Sequence, residues 1–151
     1  MTATISRSTF SNWETSDIPD LTGKTALITG ANSGLGYYTA KALAEKNAHV
    51  IVACRSLEKA NKSIQQLRAS NPEGIFSPLE LDLSDLNNVV EVQPKILDDF
   101  ENLDLLINNA GIMHPPKTLS AQGYEIQFAV NHLAHMLLTL KLLPIIEKKE
   151  E

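Results

Sequence analysis

The sequence predicts an α/β fold built around a doubly wound parallel sheet, and three features of the chain point to it. From residue 24 onward, short apolar runs alternate with longer segments whose apolar residues recur at helical spacing. The apolar runs are nearly continuous, which is typical of strands covered on both faces. The first run leads through a glycine-rich turn directly into a helical segment. Strands that alternate with helices pair in parallel through crossover connections.

The first half of the chain contains two strand–helix units. Residues 25–29 form a short apolar run that ends at Gly30, and residues 49–54 are compact and β-branched, so both are predicted strands. Residues 35–47 carry alanine and leucine at helical spacing and predict the first helix. Residues 57–70 predict the second helix, which a turn containing proline and glycine closes.

The second half repeats the alternation. Residues 76–81 predict a third strand, and residues 103–108 predict a fourth. Between them, residues 86–100 are helical in pattern, and we expect Pro94 to kink this helix or divide it into two. Residues 124–147 predict a long final helix.

Composition narrows the class of protein. The 151 residues, with 43% hydrophobic and 21% charged side chains, fit one globular domain. The net charge of −5 argues against a nucleic-acid partner, because phosphate binding needs clustered lysine and arginine. Cys54 is the single cysteine of the sequence, so no disulfide can form within it.

Two segments of the chain bear on membrane association. Residues 1–20 lack the apolar core of a signal peptide, and we expect a cytoplasmic protein. Residues 128–146 are apolar enough to suggest a membrane span, but they include Asn131, His135 and Lys141. Polar groups at bilayer depth are costly, so we expect a buried amphipathic helix and no membrane span.

The turn at residues 29–36 predicts a dinucleotide-binding site. Gly30 permits a tight turn, Gly34 lets the backbone approach a pyrophosphate, and Gly36 allows close packing of helix and strand. The following helix N-terminus offers N–H groups and a partial positive charge to phosphates. The alternative is a glycine-bearing turn with no ligand, which the strand–turn–helix setting makes less favourable.

The motifs resemble those of the short-chain dehydrogenase/reductase family. Residues 29–36 have its Thr-Gly-x3-Gly-x-Gly spacing rather than the general G-x-G-x-x-G. Asp82 and Leu83 match the pair that flanks the adenine, residues 108–111 match its Asn-Asn-Ala-Gly, and Asn131 matches the asparagine of its catalytic tetrad. The resemblance covers residues 20–146. Within the family, residues 29–36, 53–56 and 131–135 resemble the corresponding motifs of the retinol-dehydrogenase-like and WW-domain-oxidoreductase-like branch.

The resemblance implies a Rossmann-type fold and a function. It implies an NAD(P)-dependent oxidoreductase that transfers a hydride between NADP(H) and a small lipophilic or xenobiotic carbonyl or alcohol. It further implies a homodimer through the long last helix. On this basis the chain divides into a flexible N-terminal arm (residues 1–19), a partial NAD(P)-binding Rossmann domain (residues 20–147) and a charged tail (residues 148–151).

The resemblance and the turn together predict the residues of the site. Asn131 is the expected catalytic residue, and no metal is expected. The residues expected to bind the cofactor are Gly30, Asn32, Ser33, Gly34, Leu35, Gly36, Arg55, Asp82, Leu83, Asn108, Ala110 and Gly111.

Arg55 favours NADP(H) over NAD(H). It follows the second strand, near where the adenosine ribose lies in this architecture, and no acidic residue precedes Glu58. NAD enzymes tend to place an acid there, whereas a guanidinium suits a 2′-phosphate through charge-assisted bonds. The alternative is a solvated surface arginine.

The family's acid–base residues are the part of the pattern that the sequence lacks. In the family a tyrosine, a lysine four residues later and a preceding serine carry out proton transfer and orient the substrate. The sequence contains Tyr-x3-Lys only at Tyr37–Lys41, beside the phosphate turn, where we expect no catalytic role. The truncated chain is therefore expected to stop after the fourth strand and the long helix, before the catalytic Ser and Tyr-x3-Lys segment.

The sequence also allows other interpretations of the chain and of its histidines. A non-catalytic dinucleotide-binding or dimerisation module remains the main alternative. A methyltransferase-like use of the glycine turn is disfavoured by residues 108–111 and Asn131. His132 and His135 stand three residues apart, but no third ligand accompanies them, so a structural role is favoured over a metal site. His114 lies either at a substrate entrance or on a surface loop.

Overall fold

The computed structural model describes residues 13–100 and 102–146, and within them the chain forms a four-stranded parallel sheet. The strands lie in the order β3-β2-β1-β4. This agrees with the predicted α/β, doubly wound Rossmann-type fold that ends after the fourth strand and the long helix. The strands are β1 (Thr25–Thr29), β2 (His49–Cys54), β3 (Phe76–Glu80) and β4 (Leu105–Ile107).

Helices cover both faces of the sheet. They are α1 (Gly34–Ala44), α2 (Leu57–Ser70), α3 (Leu86–Asp99) and α4 (Ile126–Ile146). Alternate residues of β1 enter opposite cores, because successive side chains of a strand point to opposite faces. Leu27 packs in the cluster that holds α3 and α4, and Ile28 packs in the cluster that holds α1 and α2. All five residues of β1 are buried as a result.

Pro94 does not divide α3, so of the two predicted outcomes the division into two helices does not occur. The helix runs unbroken from Leu86 to Asp99 with Pro94 inside it. The apolar face made by Val89, Val92 and Ile96 is completely buried and holds the helix together across the proline. Pro94 itself is exposed, so water can reach the carbonyl group that loses its partner.

Element ends depart from the prediction where tertiary contacts decide them. Helix α1 ends at Ala44, three residues early, and Asn47 adopts a left-handed conformation with φ of 70°. Asparagine tolerates this conformation after a helix. Within the described residues strand β4 pairs with β1 alone, over Leu105–Ile107, and is shorter than the predicted 103–108. Pro78 lies in β3 at the sheet edge, where a missing N–H is tolerated.

Helix α4 contains a π-helical turn. The segment Ala129–Leu133 has π geometry and separates a short first turn from the regular helix Ala134–Ile146. By length and composition α4 could cross a bilayer, with a mean hydropathy of 1.4. In this fold, however, Ala134, Leu138 and Leu142 are fully buried in the core that α4 shares with α3 and the sheet.

The chain ends lie partly outside the described residues. Of the predicted arm, residues 13–19 are described and include a 3₁₀ turn at Thr15–Asp17. The Nζ of Lys46 donates to the carbonyl oxygen of Ser16 at 2.8 Å, while Trp13 is 55% exposed. The predicted charged tail at residues 148–151 lies outside the described part.

Gly36 is the tightest contact between α1 and the strand ends. A Cβ atom at this position would lie 2.6 Å from the carbonyl oxygen of Gly30 and 3.1 Å from the Cα of Ala31. Both of these neighbours are backbone, so neither can rotate away, and Nδ2 of the Asn109 side chain would lie closer still. At Gly111, in contrast, an added Cβ would meet its nearest atom, Oδ1 of Asn131, at 3.6 Å, which is ordinary contact.

We predict that Gly36→Ala lowers the free energy of unfolding by about 1–3 kcal/mol, the usual range for overpacking. Urea unfolding of the full chain measures this change. Alanine is intrinsically the better helix former by roughly 1 kcal/mol, so an increase in stability would contradict the packing argument. Gly111→Ala serves as the matched control and should change stability by less than about 1 kcal/mol.

Candidate functional site

A cleft of about 780 Å³ opens at the carboxyl ends of the strands. In a parallel sheet these ends share one edge, which is where ligands bind in open α/β folds. The turn after β1, the end of β2, the segment after β3 and the loop after β4 converge there. The cleft is lined by residues 29–30, 32–33, 35, 53–55, 59, 81–84, 109–112, 115, 118–121, 126 and 130.

The glycine turn has the backbone conformation expected of it. Gly30 and Gly34 have φ of +67° and +56°, in the left-handed region that favours glycine. Apart from its chain neighbours and the backbone of its own helix, no described atom lies within 4 Å of a Cβ built at Gly34, so the turn has open space beside it. Ser33 is the N-cap of α1, and within the described residues its side chain makes no capping bond. First-turn amides of the helix are therefore available to a ligand.

The loop after β4 is bonded directly to the end of β1. The backbone N–H groups of Asn109 and Ala110 each donate to Oγ1 of Thr29 at 2.9 Å. The carboxamide Nδ2 of Asn109 donates to the carbonyl oxygen of Thr29 at 2.8 Å. A Cβ at Gly30 would lie 3.0 Å from Ala110, so the two segments are in close contact. They form one wall of the cleft.

Asn108 and Asn109 point in different directions. Nδ2 of Asn108 donates to Oγ1 of Thr139 on α4 at 3.0 Å, and Asn108 does not line the cleft. Asn109, which the sequence had not singled out, lines it. Which of two adjacent asparagines faces the cleft depends on strand register, and the motif alone does not state that register.

Asn131 lies in the π turn of α4 and holds the loop after β4. Its Nδ2 donates to the carbonyl oxygen of Ile112, and its Oδ1 accepts the N–H of Ile112, both at 2.9 Å. Gly111 lies beside it, with its Cβ position 3.6 Å from Oδ1. The side chain of Asn131 is thus hydrogen-bonded to backbone groups next to the cleft, and Asn131 is not among the residues that line it.

Asp82 and Leu83 border the cleft after β3. Oδ1 of Asp82 accepts from the N–H and the hydroxyl of Ser84, at 2.9 and 2.6 Å. The N–H of Asp82 donates to Oδ1 of Asn88 at 2.7 Å. These bonds fix the segment at the side of the cleft opposite the loop after β4.

Two cations stand where β2 leads into α2. Arg55 and Lys59 are both exposed and both line the cleft. Lys59 had not been predicted, although its position four residues after Arg55, on the first turn of α2, was a usable signal. Burial raises the pKa of the Cys54 thiol to about 11. Cys54 therefore stays protonated and donates to Oδ1 of Asn32 at 3.6 Å, across the glycine turn.

Other candidate groups fall outside the cleft. Tyr37 and Lys41 lie on α1, and Nζ of Lys41 pairs with Glu45 at 3.8 Å. His132 is exposed and stacks on Phe128, with ring centroids 5.3 Å apart. Across residues 13–100 and 102–146 there is no cluster of three or more His, Cys, Asp or Glu side chains that could hold a metal.

The structure thus brings together most of the predicted cofactor residues. Gly34, Gly36 and Asn108 are the three that do not line the cleft, and Gly36 instead packs on Gly30. The N–H of His114 donates to Gln127 at 2.9 Å on an exposed loop outside the lining. The predicted residues that line it are Gly30, Asn32, Ser33, Leu35, Arg55, Asp82, Leu83, Ala110 and Gly111.

Solved structures with the same architecture include oxidoreductases. A protein from Mycobacterium paratuberculosis superposes with a TM-score of 0.77 at 41% identity, over 88% of this chain and 46% of that one. A metagenomic short-chain oxidoreductase in complex with NADP matches with a TM-score of 0.73 at 27% identity, over 84% of this chain and 58% of that one.

Curated relatives are longer than this chain. An uncharacterized oxidoreductase of Schizosaccharomyces pombe is 43% identical over 139 residues, which are 92% of this chain and 41% of the relative. Human retinol dehydrogenase 13 is 42% identical over 121 residues, 80% of this chain and 37% of the relative. The chain thus spans about two fifths of the relatives it matches.

The family model described as short chain dehydrogenase matches residues 24–151, which include every segment that converges on the cleft. The resemblance expected from the motifs is therefore confirmed. The chain belongs to the short-chain dehydrogenase/reductase family.

Proposed function

We propose that this chain binds NADP(H) in the cleft and belongs to an oxidoreductase that transfers a hydride between NADP(H) and a carbonyl or alcohol. The observation that carries the proposal is the convergence of an uncapped helix N-terminus, a glycine turn and two exposed cations on one cleft. These groups suit the pyrophosphate and the ribose phosphate of a dinucleotide.

The residues of the cleft fit this cofactor. Open space beside Gly34 leaves room for the pyrophosphate against the first turn of α1. Asp82 and Leu83 would bound the adenine, and Ala110 with Gly111 would line the path toward the nicotinamide. When bound, the cofactor supplies or accepts the hydride. The protein groups bind and orient it, and the loop after β4 excludes water from that side.

Arg55 and Lys59 support NADP(H) over NAD(H). On the β2–α2 side, the residues that line the cleft include no carboxylate. The carboxylate that does line the cleft, Asp82, lies on the segment after β3 and bonds Ser84. A cationic pocket favours a 2′-phosphate, whereas a ribose 2′-hydroxyl is usually bound by an acid. Solved structural relatives are complexes with NADP and with NAD, so the preference rests on these two side chains.

We propose that cofactor binding is separable from turnover in this chain. The sole Tyr-x3-Lys of the sequence, Tyr37–Lys41, lies on α1 and does not line the cleft. Asn131 is committed to the backbone of Ile112. We therefore expect the 151 residues to bind NADPH without efficient reduction of a carbonyl.

The substrate side of the cleft supports a lipophilic carbonyl or alcohol. Apolar side chains beyond the nicotinamide end include Ile112, Pro115 and Leu119, and Leu119 is 63% exposed. Named retinol dehydrogenases among the relatives agree with such a substrate. The compartment we propose is the cytoplasm.

A second function, self-association, is favoured by one face of α4. Met136, Leu140 and Leu143 are between 40% and 56% exposed and recur at helical spacing, so they form an apolar stripe along the regular part of α4. Such a stripe can pack against its own copy about a two-fold axis. We propose a homodimer in which the α4 stripes of two chains pair.

For the cofactor site, we predict that Arg55→Ala weakens NADPH binding by roughly 10- to 100-fold, the range for losing one to two charge-assisted hydrogen bonds. NADH binding should change by less than about threefold, because NADH has no 2′-phosphate. Calorimetric titration of both cofactors measures the difference. Lys62→Ala, an exposed lysine of α2 outside the cleft, is the matched control. Equal losses for both cofactors would refute the NADP(H) preference.

For the dimer, we predict that Leu140→Glu converts the chain to a monomer because it places a charge in the centre of the stripe. Light scattering coupled to size exclusion measures the mass across a range of protein concentrations. Leu97→Glu, at a 51% exposed leucine of α3, is the control and should leave the dimer intact. A wild-type chain that remains monomeric at the highest concentration would eliminate this second function.

A further inference from the structure

A buried histidine of α4 makes polar contacts that the proposed function does not use. His135 is 7% exposed, and its ring lies between the end of β1 and the π turn of α4. We propose that His135 is a positioning residue. In its neutral, Nδ1-protonated form it joins Thr29 to Asn131 and thereby fixes the wall of the cleft at residues 109–111.

The hydroxyl of Thr29 determines the protonation of the ring. Its oxygen accepts the N–H groups of Asn109 and Ala110, both at 2.9 Å, although the N–H of Asn109 is shared with the carbonyl oxygen of Ile107. A hydroxyl has two lone pairs and one proton. With both lone pairs occupied, the oxygen has no acceptor capacity for a third N–H.

The proton of that hydroxyl has two acceptors within reach. Nε2 of His135 lies 3.0 Å from Oγ1 of Thr29, and the carbonyl oxygen of Ile107 lies 3.4 Å away. The shorter contact is the better hydrogen bond. Thr29 therefore donates to Nε2 of His135, and Nε2 must carry no hydrogen.

The other ring nitrogen then carries the hydrogen. Nδ1 of His135 lies 3.3 Å from the carbonyl oxygen of Asn131 and donates to it. The carboxamide of Asn131 in turn holds Ile112 in both directions, at 2.9 Å. The imidazole of His135 thus contacts the end of β1 and the π turn of α4. Thr29 on one side and Asn131 on the other each bond backbone groups of the loop after β4.

Protonation of the ring would break this link. An Nε2–H would point at a Thr29 oxygen whose lone pairs are taken. Burial lowers the pKa of His135 from its ordinary value of 6.5, and the hydrogen bond to Asn131 opposes this shift without overcoming it. The groups that face the ring are the Thr29 hydroxyl and the Asn131 carbonyl, and no charged side chain of the described residues contributes to the shift.

The pKa direction gives the sign of the pH dependence. A histidine with a folded-state pKa below 6.5 takes up a proton more readily when the chain unfolds. Its contribution to stability is complete above pH 6.5 and is lost as the pH falls through the folded-state pKa. Burial also lowers the pKa of His49, so only the difference between wild type and a His135 variant isolates His135.

Nitrogen-detected or long-range ¹H–¹⁵N NMR of the full chain at neutral pH tests the tautomer directly. We expect the His135 ring to carry its hydrogen on Nδ1 and none on Nε2, with the spectrum of His135→Gln assigning the signal. A ring protonated on Nε2, or on both nitrogens, would overturn the proposal. This measurement does not depend on any cofactor.

A variant series tests the positioning role. His135→Gln retains an acceptor for Thr29, His135→Phe retains volume without one, and the exposed His132→Phe is the control. Hydrogen exchange at the Asn109 and Ala110 amides should accelerate at least about tenfold in His135→Phe, the factor for losing roughly one buried hydrogen bond. Exchange in His135→Gln and His132→Phe should stay within about threefold of wild type. Unchanged exchange in His135→Phe would refute the role.

The effect on the cofactor rests on the proposed function. NADPH binding should weaken about tenfold in His135→Phe and less than about threefold in His135→Gln, under conditions where both are folded. Between about pH 7.5 and about pH 5.5 the thermal midpoint of wild type should fall further than that of His135→Gln. If wild type fails to bind NADPH, the proposed function fails, while the tautomer and the amide exchange still decide the positioning role.

Discussion

Close approach of two backbone segments at the carboxyl ends of β1 and β4 is the constraint on which the site depends. Thr29 is the contact point, because its hydroxyl and its carbonyl oxygen both bind the loop that begins at Asn109. A side chain on Gly30 would press on Ala110, and one on Gly36 would press on the carbonyl of Gly30. At Gly30 and Gly36 the backbone groups beside this wall of the cleft are therefore too close together for a methyl group.

This constraint separates two kinds of residue in the site. Gly30 and Gly36 are required by packing, so changing them alters the fold as well as binding. Arg55 and Lys59 at the rim are exposed and contribute charge without supporting the fold. Under the proposed function, cofactor preference would therefore depend on Arg55 and Lys59 and not on the packing around Gly30.

Local signals explain why much of the fold could be predicted from the sequence. Strand β2 and helix α2 have their predicted bounds, since a β-branched run specifies the strand and Ser56 caps the helix by accepting the N–H of Lys59 at 3.4 Å. The π turn of α4 was not predicted, and Asn131 within it bonds Ile112, a contact across 19 residues. The spacing of apolar residues within one helix does not reveal such a contact.

The site was predictable to the extent that backbone geometry required particular residue types. Gly30 and Gly34 stood out because their positive φ angles favour glycine. Lys59 and Asn109 were missed, because their roles depend on which side of a helix or loop faces the cleft. His135 was taken only as a structural residue, since its neighbour Thr29 is distant in sequence and the contact forms only in the folded sheet.

Proton transfer makes a demand that cofactor binding does not. The ionisable side chains among the described lining residues are Cys54, Arg55, Lys59 and Asp82. Arginine does not deprotonate in proteins, burial raises the pKa of Cys54 to about 11, and Asp82 is engaged by Ser84. All four lie around the ends of β2 and β3, whereas the loop after β4 and residues 115–121 contribute only uncharged groups to the lining. Under the proposed function, cofactor binding would use amides and cations around the ends of β1 and β2, whereas general acid catalysis would need a tuned proton donor at the other end of the cleft. The two properties would therefore depend on different parts of the cleft.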